Sequence, residues 1–168
     1  MLVVMSGLPG SGKSSVADAL GARLPAVVLS VDPIEAAIVR SGIPQSYETG
    51  VAAYEVAAAL AVDQLSLGID VIADAANLER EGQDVWRGVA ERTGAPLRVI
   101  EVVCRDQLEH RRRFEARRRR LHGFTEPGWD EVVRRRAAAA PWSGEHLVLD
   151  SMAAPESNLT TALAYIRP

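Results

Sequence analysis

A chain of 168 residues, 48% hydrophobic, 24% charged and 5% aromatic, has apolar material for one ordinary core and too little length for two, which excludes disordered, collagen-like and disulfide-built classes. Twenty-two acidic against 19 basic residues leave a net charge of −3, so no global positive field draws the protein to nucleic acid or anionic lipid. The single cysteine, Cys104, cannot form an internal disulfide and suits a reducing compartment, so the expectation is cytoplasmic, with neither secretion signal nor membrane span.

In chain order, the apolar run Leu2 to Met5 predicts a buried strand, and it leads directly into Gly7-Leu8-Pro9-Gly10-Ser11-Gly12-Lys13-Ser14, a complete G-x-x-x-x-G-K-[ST] match. Helical spacing follows from Ser14 to Leu24. Strand, glycine loop and helix in that order predict a phosphate cradle, because glycines let the backbone curl until successive N–H groups converge on anionic oxygens at a helix N-terminus. Gly7, Gly10, Ser11, Gly12, Lys13, Ser14 and Ser15 are the expected nucleotide contacts, with the Lys13 ammonium at the β- and γ-phosphates and the Ser14 hydroxyl on Mg²⁺. Lys13 is also the only lysine; the other 18 basic residues are arginine.

Ala26 to Leu29 predicts the second strand, and Asp32 stands just beyond it, before a helix from Pro33 to Arg40. At the carboxyl end of a strand a carboxylate can take the proton of an attacking hydroxyl; before a helix it can equally cap it. Glu35, one turn on, can face the same pocket. A long Ala-rich helix from Tyr47 to Leu67 ends at Gly68, then Asp70 to Ala73 predicts the third strand. Asp74 ends it, a candidate to orient Mg²⁺ directly or through water, or a cap; Asn77 is either a cap or an acceptor contact.

A helix from Leu78 to Arg92, a strand from Leu97 to Val103 and a helix from Gln107 to Leu121 come next. The last of these carries seven arginines between His110 and Arg120. It puts Arg113 and Arg117 on one face, suited to a phosphate-gripping lid; the competing readings are a nucleic-acid stripe or a solvated face paired with acids. Trp129 to Ala140 and Ser157 to Ile166 predict two more helices, flanking a fifth strand from His146 to Leu149. Trp129 and Trp142 either close the acceptor site or fill core. The three histidines lack metal-ligand spacing and Cys104 has no adjacent base, so none is given metal or thiol chemistry.

Continuously apolar strands alternating with helices predict an α/β fold, a five-stranded parallel sheet sandwiched by helices, as one domain over 1–168 with a helical lid at about 105–128. A single lysine excludes the N-K-x-D of a GTPase, no L-S-G-G-Q signature is present, and the length is short for a ring-forming ATPase module. A small-molecule kinase remains.

The chain resembles the small P-loop kinases akin to the kinase domain of polynucleotide kinase, chloramphenicol phosphotransferase and gluconate kinase, a group labelled loosely as AAA-family ATPases. The resemblance rests on Gly7 to Ser15, Asp32, Val71 to Asn77, Cys104 with His110 to Arg117, and Pro127 to Val133 with Pro141-Trp142. It implies MgATP as donor, Asp32 as the acceptor-activating aspartate, and Arg113 and Arg117 as lid arginines, with Arg112 an alternative to Arg113. Polynucleotide kinases carry an arginine three residues after that aspartate, where this chain has Glu35. The expected reaction is transfer of the γ-phosphate to a hydroxyl of a small molecule; a polynucleotide 5′-hydroxyl kinase and a nucleotide-binding switch without transfer are the alternatives.

Overall fold

The computed structural model describes residues 1–116, 125 and 127–167. Five strands are all parallel: β1 (Leu2–Ser6), β2 (Ala26–Ser30), β3 (Asp70–Asp74), β4 (Leu97–Val103) and β5 (Leu147–Asp150). They lie side by side in the order β2-β3-β1-β4-β5. Helices alternate with them: α1 (Lys13–Gly21), α2 (Val31–Arg40), α3 (Tyr47–Ser66), α4 (Arg80–Thr93), α5 (Gln107–Ala116), α6 (Trp129–Ala138) and α7 (Pro155–Ile166). None of the described helices is long and apolar enough to cross a membrane.

Strand β1 explains why the sequence reads as an unbroken apolar run. Its pleat sends Leu2 and Val4 into a core under α2, α3 and α4, while Val3 and Met5 enter a second core under α1 and α7. Both faces are covered, so none of the four positions from Leu2 to Met5 is left for a polar residue. Trp86 and Trp142 are buried in the first core, which assigns Trp142 to packing.

The strand order also fixes where ligands gather. From β1 the chain crosses to one side for β2 and β3 and to the other for β4 and β5, so the loop leaving β1 emerges where the order reverses. In register, Met5 lies beside Asp74 on one flank and Ile100 on the other.

Two helix starts differ from the sequence expectation for local reasons. Helix α2 begins at Val31 with Ser30 as its N-cap, so Asp32 and Pro33 both lie within the first turn. Pro33 is tolerated there because the first turn has no intrahelical partner for its missing N–H. Helix α4 begins at Arg80 rather than Leu78, because Asn77 adopts a left-handed φ of 50° and breaks the path of the chain before it.

Candidate active site

The loop from Gly7 to Ser14 is shaped by residues that only glycine can occupy. Gly7 has φ 142°, and a Cβ there would stand 2.3 Å from the Val102 carbonyl oxygen on β4. Gly10 has φ 82°, and its Cβ would press on Phe114 of α5 at 3.0 Å. The loop is therefore held between β4 beneath and α5 above. Its first amide donates to the Ala76 carbonyl at 3.0 Å, which ties it to the segment after β3.

Lys13 is the first residue of α1 and is only 5% exposed. It thus stands at the N-terminus of α1, where the helix dipole favours anions. Ser14 follows it, half-buried, and Ser15 faces solvent. Ser11 is buried, and its Oγ has no hydrogen-bond partner among the described residues. A cavity of about 320 Å³ opens beside it, with Gly7 and Leu8 on one wall and Cys104, His110 and Arg136 on another.

Asp74 is 4% exposed; one carboxylate oxygen accepts from Ser30 Oγ at 3.2 Å and the other, Oδ1, is buried with no partner among the described residues. Five residues separate it from the start of α4 at Arg80, whose N-cap is Glu79, so Asp74 caps no helix. A buried carboxylate oxygen left unpaired at the end of a strand is costly unless a cation or donor completes it. With the Ser14 hydroxyl, the donor set is oxygen only, which suits Mg²⁺.

Asn77 is neither cap nor open acceptor contact. It is 1% exposed; its Nδ2 donates to the Met5 carbonyl at 2.7 Å, and its Oδ1 accepts from Trp86 Nε1 at 2.9 Å. Its backbone carbonyl accepts from Ser6 Oγ at 3.3 Å and Gln83 Nε2 at 3.3 Å. The side chain therefore braces β1 against α4 directly below the loop.

Asp32, half-buried, lies in the first turn of α2 and Glu35 one turn further. Glu35 Oε1 accepts from Thr49 Oγ1 at 3.0 Å, where Thr49 forms a capping box with Ser46 at the start of α3. Burial pushes the Glu35 carboxyl up; the Thr49 bond opposes this, the Asp32 charge adds to it and the Arg135 charge on α6 opposes it. Tyr54 on α3 is pushed up to about 12, chiefly by burial, and feels the Asp32, Glu79 and Arg135 charges too. Three helices and the loop after β3 thus bring Asp32, Glu35, Thr49, Tyr54 and Arg135 into one electrostatic neighbourhood. Thr49, Tyr54 and Arg135 carry no motif, and only the helix assignment around them is visible in sequence.

On the other flank, Arg113 Nη1 donates to the Ser151 carbonyl at 3.1 Å and its Oγ at 3.0 Å, and Nε pairs with Glu109 at 2.7 Å. Ser151 is also the residue against which a Cβ on Gly12 would rest, at 3.2 Å. Arg113 is therefore close to the lysine end of the loop, whereas Arg112 is 69% exposed and pairs with Glu109 in solvent. Arg112 and Arg113 together hold the Glu109 carboxyl at about 2, mainly through their hydrogen bonds. Arg117 and the remainder of the expected lid up to residue 124 lie outside the described residues.

His110 has a place that its sequence spacing does not signal. It is 1% exposed on α5, with Nε2 2.9 Å from the Pro9 carbonyl oxygen at the loop's apex and Nδ1 2.8 Å from Arg136 Nη2 on α6. Trp129 meets the ring edge-on at 5.2 Å and also contacts Phe114, so Trp129 packs between α5 and α6.

The family model described as an AAA domain matches residues 2–139. No curated protein matches the chain. Among solved structures, it is similar to a sugar kinase from Janibacter sp. HTCC2649, 20% identical over 98% of this chain and 93% of that one, with a TM-score of 0.73. It is similar to a gluconokinase from Sinorhizobium meliloti 1021, 19% identical over 98% and 90%, with a TM-score of 0.67. It is similar also to the Mycobacterium tuberculosis APS kinase solved with AMPPNP and APS, 17% identical over 99% and 97%, with a TM-score of 0.72. The fold is that of the small P-loop kinases.

Proposed function

The chain belongs to the AAA domain family, and from that premise we propose that it is an ATP-dependent kinase that transfers the γ-phosphoryl group to a hydroxyl of a small molecule. The observation that carries this reading is a buried lysine in the glycine loop after β1 together with a carboxylate neighbourhood on α2, which leaves β2 two strand positions away with β3 between them. Backbone amides at the lysine end of the loop, from Gly12 to Ser15, and the Lys13 ammonium hold the phosphates. Ser14 and Asp74 would hold Mg²⁺, whose charge neutralises the β- and γ-oxygens.

Asp32 accepts the proton as the acceptor's oxygen forms its bond to the γ-phosphorus and the bond from that phosphorus to the β,γ-bridging oxygen breaks, releasing ADP. Glu35, Thr49 and Arg135 orient the acceptor. Arg113, and by resemblance Arg117, offset the charge that spreads over the transferring group. Water exclusion by α5 raises the effect of each of these charges.

A polynucleotide acceptor is less well supported. Among the described residues of the basic stripe, Arg111 pairs with Glu115, and Arg112 and Arg113 share Glu109, so two acids already offset part of the charge that would meet a phosphate backbone. The test is an ADP-release and thermal-shift screen with MgATP against sugars, alcohols, nucleosides, aminoglycosides and 5′-hydroxyl oligonucleotides. Lys13→Ala is expected to abolish ATP binding, and Asp32→Asn to keep binding while losing transfer. Full transfer by Asp32→Asn removes the assigned base. ATP binding with no acceptor-stimulated turnover across the panel would make the protein a nucleotide-binding switch instead.

A further inference from the structure

His110 sits in the arginine-rich helix, yet its two ring nitrogens serve neither solvent nor an acid. Nε2 faces a carbonyl oxygen, Pro9 O at 2.9 Å, and can only donate to it; Nδ1 faces a guanidinium, Arg136 Nη2 at 2.8 Å, and can only accept. Those two partners together require the neutral ring with its proton on Nε2. The bridge runs from α6 through α5 to the apex of the phosphate loop, and Phe114, one turn along α5, covers Gly10 beside it. The ring is fixed from a third side by the edge of Trp129.

We propose that His110 is a positioning residue for the phosphate loop: its neutral imidazole, oriented by Arg136, holds the Pro9 carbonyl outward so that the loop's amides stay turned toward the nucleotide. A peptide unit that gives its carbonyl to an outside donor leaves its N–H groups free to face inward, and a loop already held in that shape loses less freedom on binding. The inference rests on the reading of this loop as a phosphate site.

Protonation breaks the arrangement, because a proton on Nδ1 sets a donor against the Arg136 donor. The charged groups around the ring are Arg136 from α6 and Arg113 on its own helix, both cationic, with Glu101, Cys104 and Arg105 at the end of β4 sharing the adjoining cavity wall. Burial above all, and then these two guanidiniums, push the imidazole below its ordinary 6.5, against the Pro9 bond that favours the charged ring. The neutral bridge is therefore intact at neutral pH and is lost as pH falls through the lowered pKa of the imidazole.

Two variants separate this role from simple packing, read by calorimetric titration of MgADP into the full chain. His110→Phe keeps the ring on Trp129 but neither hydrogen bond; it is expected to bind about tenfold more weakly at pH 7.5, the equivalent of one lost hydrogen bond. His110→Gln keeps a donor for Pro9 and an acceptor for Arg136 without titrating, so it should rescue most of that affinity. The ratio of wild-type to His110→Gln affinity should then fall as pH is lowered from 7.5 to the acid limit of the folded chain, which cancels the titration of the nucleotide itself. Wild-type affinity in His110→Phe, or a wild-type to His110→Gln ratio that is flat with pH, overturns the proposal. If His110→Phe does not fold, the His110→Gln ratio alone decides. Absence of MgADP binding by the wild type overturns both this inference and the proposed function, whereas binding without any transfer leaves this one standing.

Discussion

Asn77→Ala asks whether this residue serves an acceptor or the fold, and the structure gives the size of the answer. The substitution removes the acceptor of Trp86 Nε1 and the donor to the Met5 carbonyl, both buried. A buried donor left unpaired costs about 1–3 kcal/mol, and the orphaned carbonyl adds a comparable amount. Holding alanine at a φ of 50° costs about 1 kcal/mol more, since asparagine tolerates that region and alanine does not. The sum is about 5 kcal/mol, a large part of the stability of an ordinary domain, and corresponds to a melting temperature lower by about 10–20 °C. Urea unfolding of Asn77→Ala, Trp86→Phe and the double variant measures it, and the pair should couple, because the second change costs less once the first is made. A loss under about 1 kcal/mol in Asn77→Ala, with acceptor affinity reduced, would refute the bracing role and restore Asn77 to the acceptor site.

Asp74→Asn should leave the fold intact, since it removes a buried charge with an unpaired oxygen, and should abolish the dependence of ATP affinity on Mg²⁺ in calorimetric titrations; unchanged Mg²⁺ dependence removes Asp74 from the metal. Glu35 has a raised carboxyl, so the folded state holds its proton more tightly than the unfolded state and the ionised form opposes folding above pH 4.5. Glu35→Gln should therefore gain in melting temperature over the wild type as pH rises from 4 to 7, and a constant difference would contradict the burial. Glu109 is the opposite case: held at about 2 by Arg112 and Arg113, its contribution is present above about pH 4.5 and is lost as pH falls toward 2. Glu109→Gln should accordingly show a shallower decline in melting temperature over that acid range, and a parallel decline would detach the pairing from stability.

The parts of the site written in consecutive residues were legible. A strand of apolar residues, a glycine loop and a lysine carry their own geometry, because φ and backbone approach are local properties, and Gly7 and Gly10 adopt the left-handed φ values that the motif demands. Asp74 was legible for the same reason, as the last residue of a continuous strand. The helix starts were less so. Asp32 before Pro33 looks like a cap, yet Ser30 takes the N-cap position and turns its hydroxyl to Asp74 instead, a choice made by the neighbouring strand rather than by the helix. Asn77 and His110 act through partners 72, 101 and 26 residues away, namely Met5 for Asn77, and Pro9 and Arg136 for His110. No periodicity reports such pairs; they exist only once the strand order has put β1 between β3 and β4.

Lys13, the chain's only lysine, is 5% exposed. Side-chain amine chemistry on the native protein is thus confined to one shielded group at the heart of the phosphate loop. Acylating reagents, isopeptide tags and lysine-directed crosslinkers meet no other ε-amine on the surface, so a lysine adduct comes either from that loop, caught open, or from a molecule that has already unfolded. Modification at this single position becomes a direct readout of how often the loop opens.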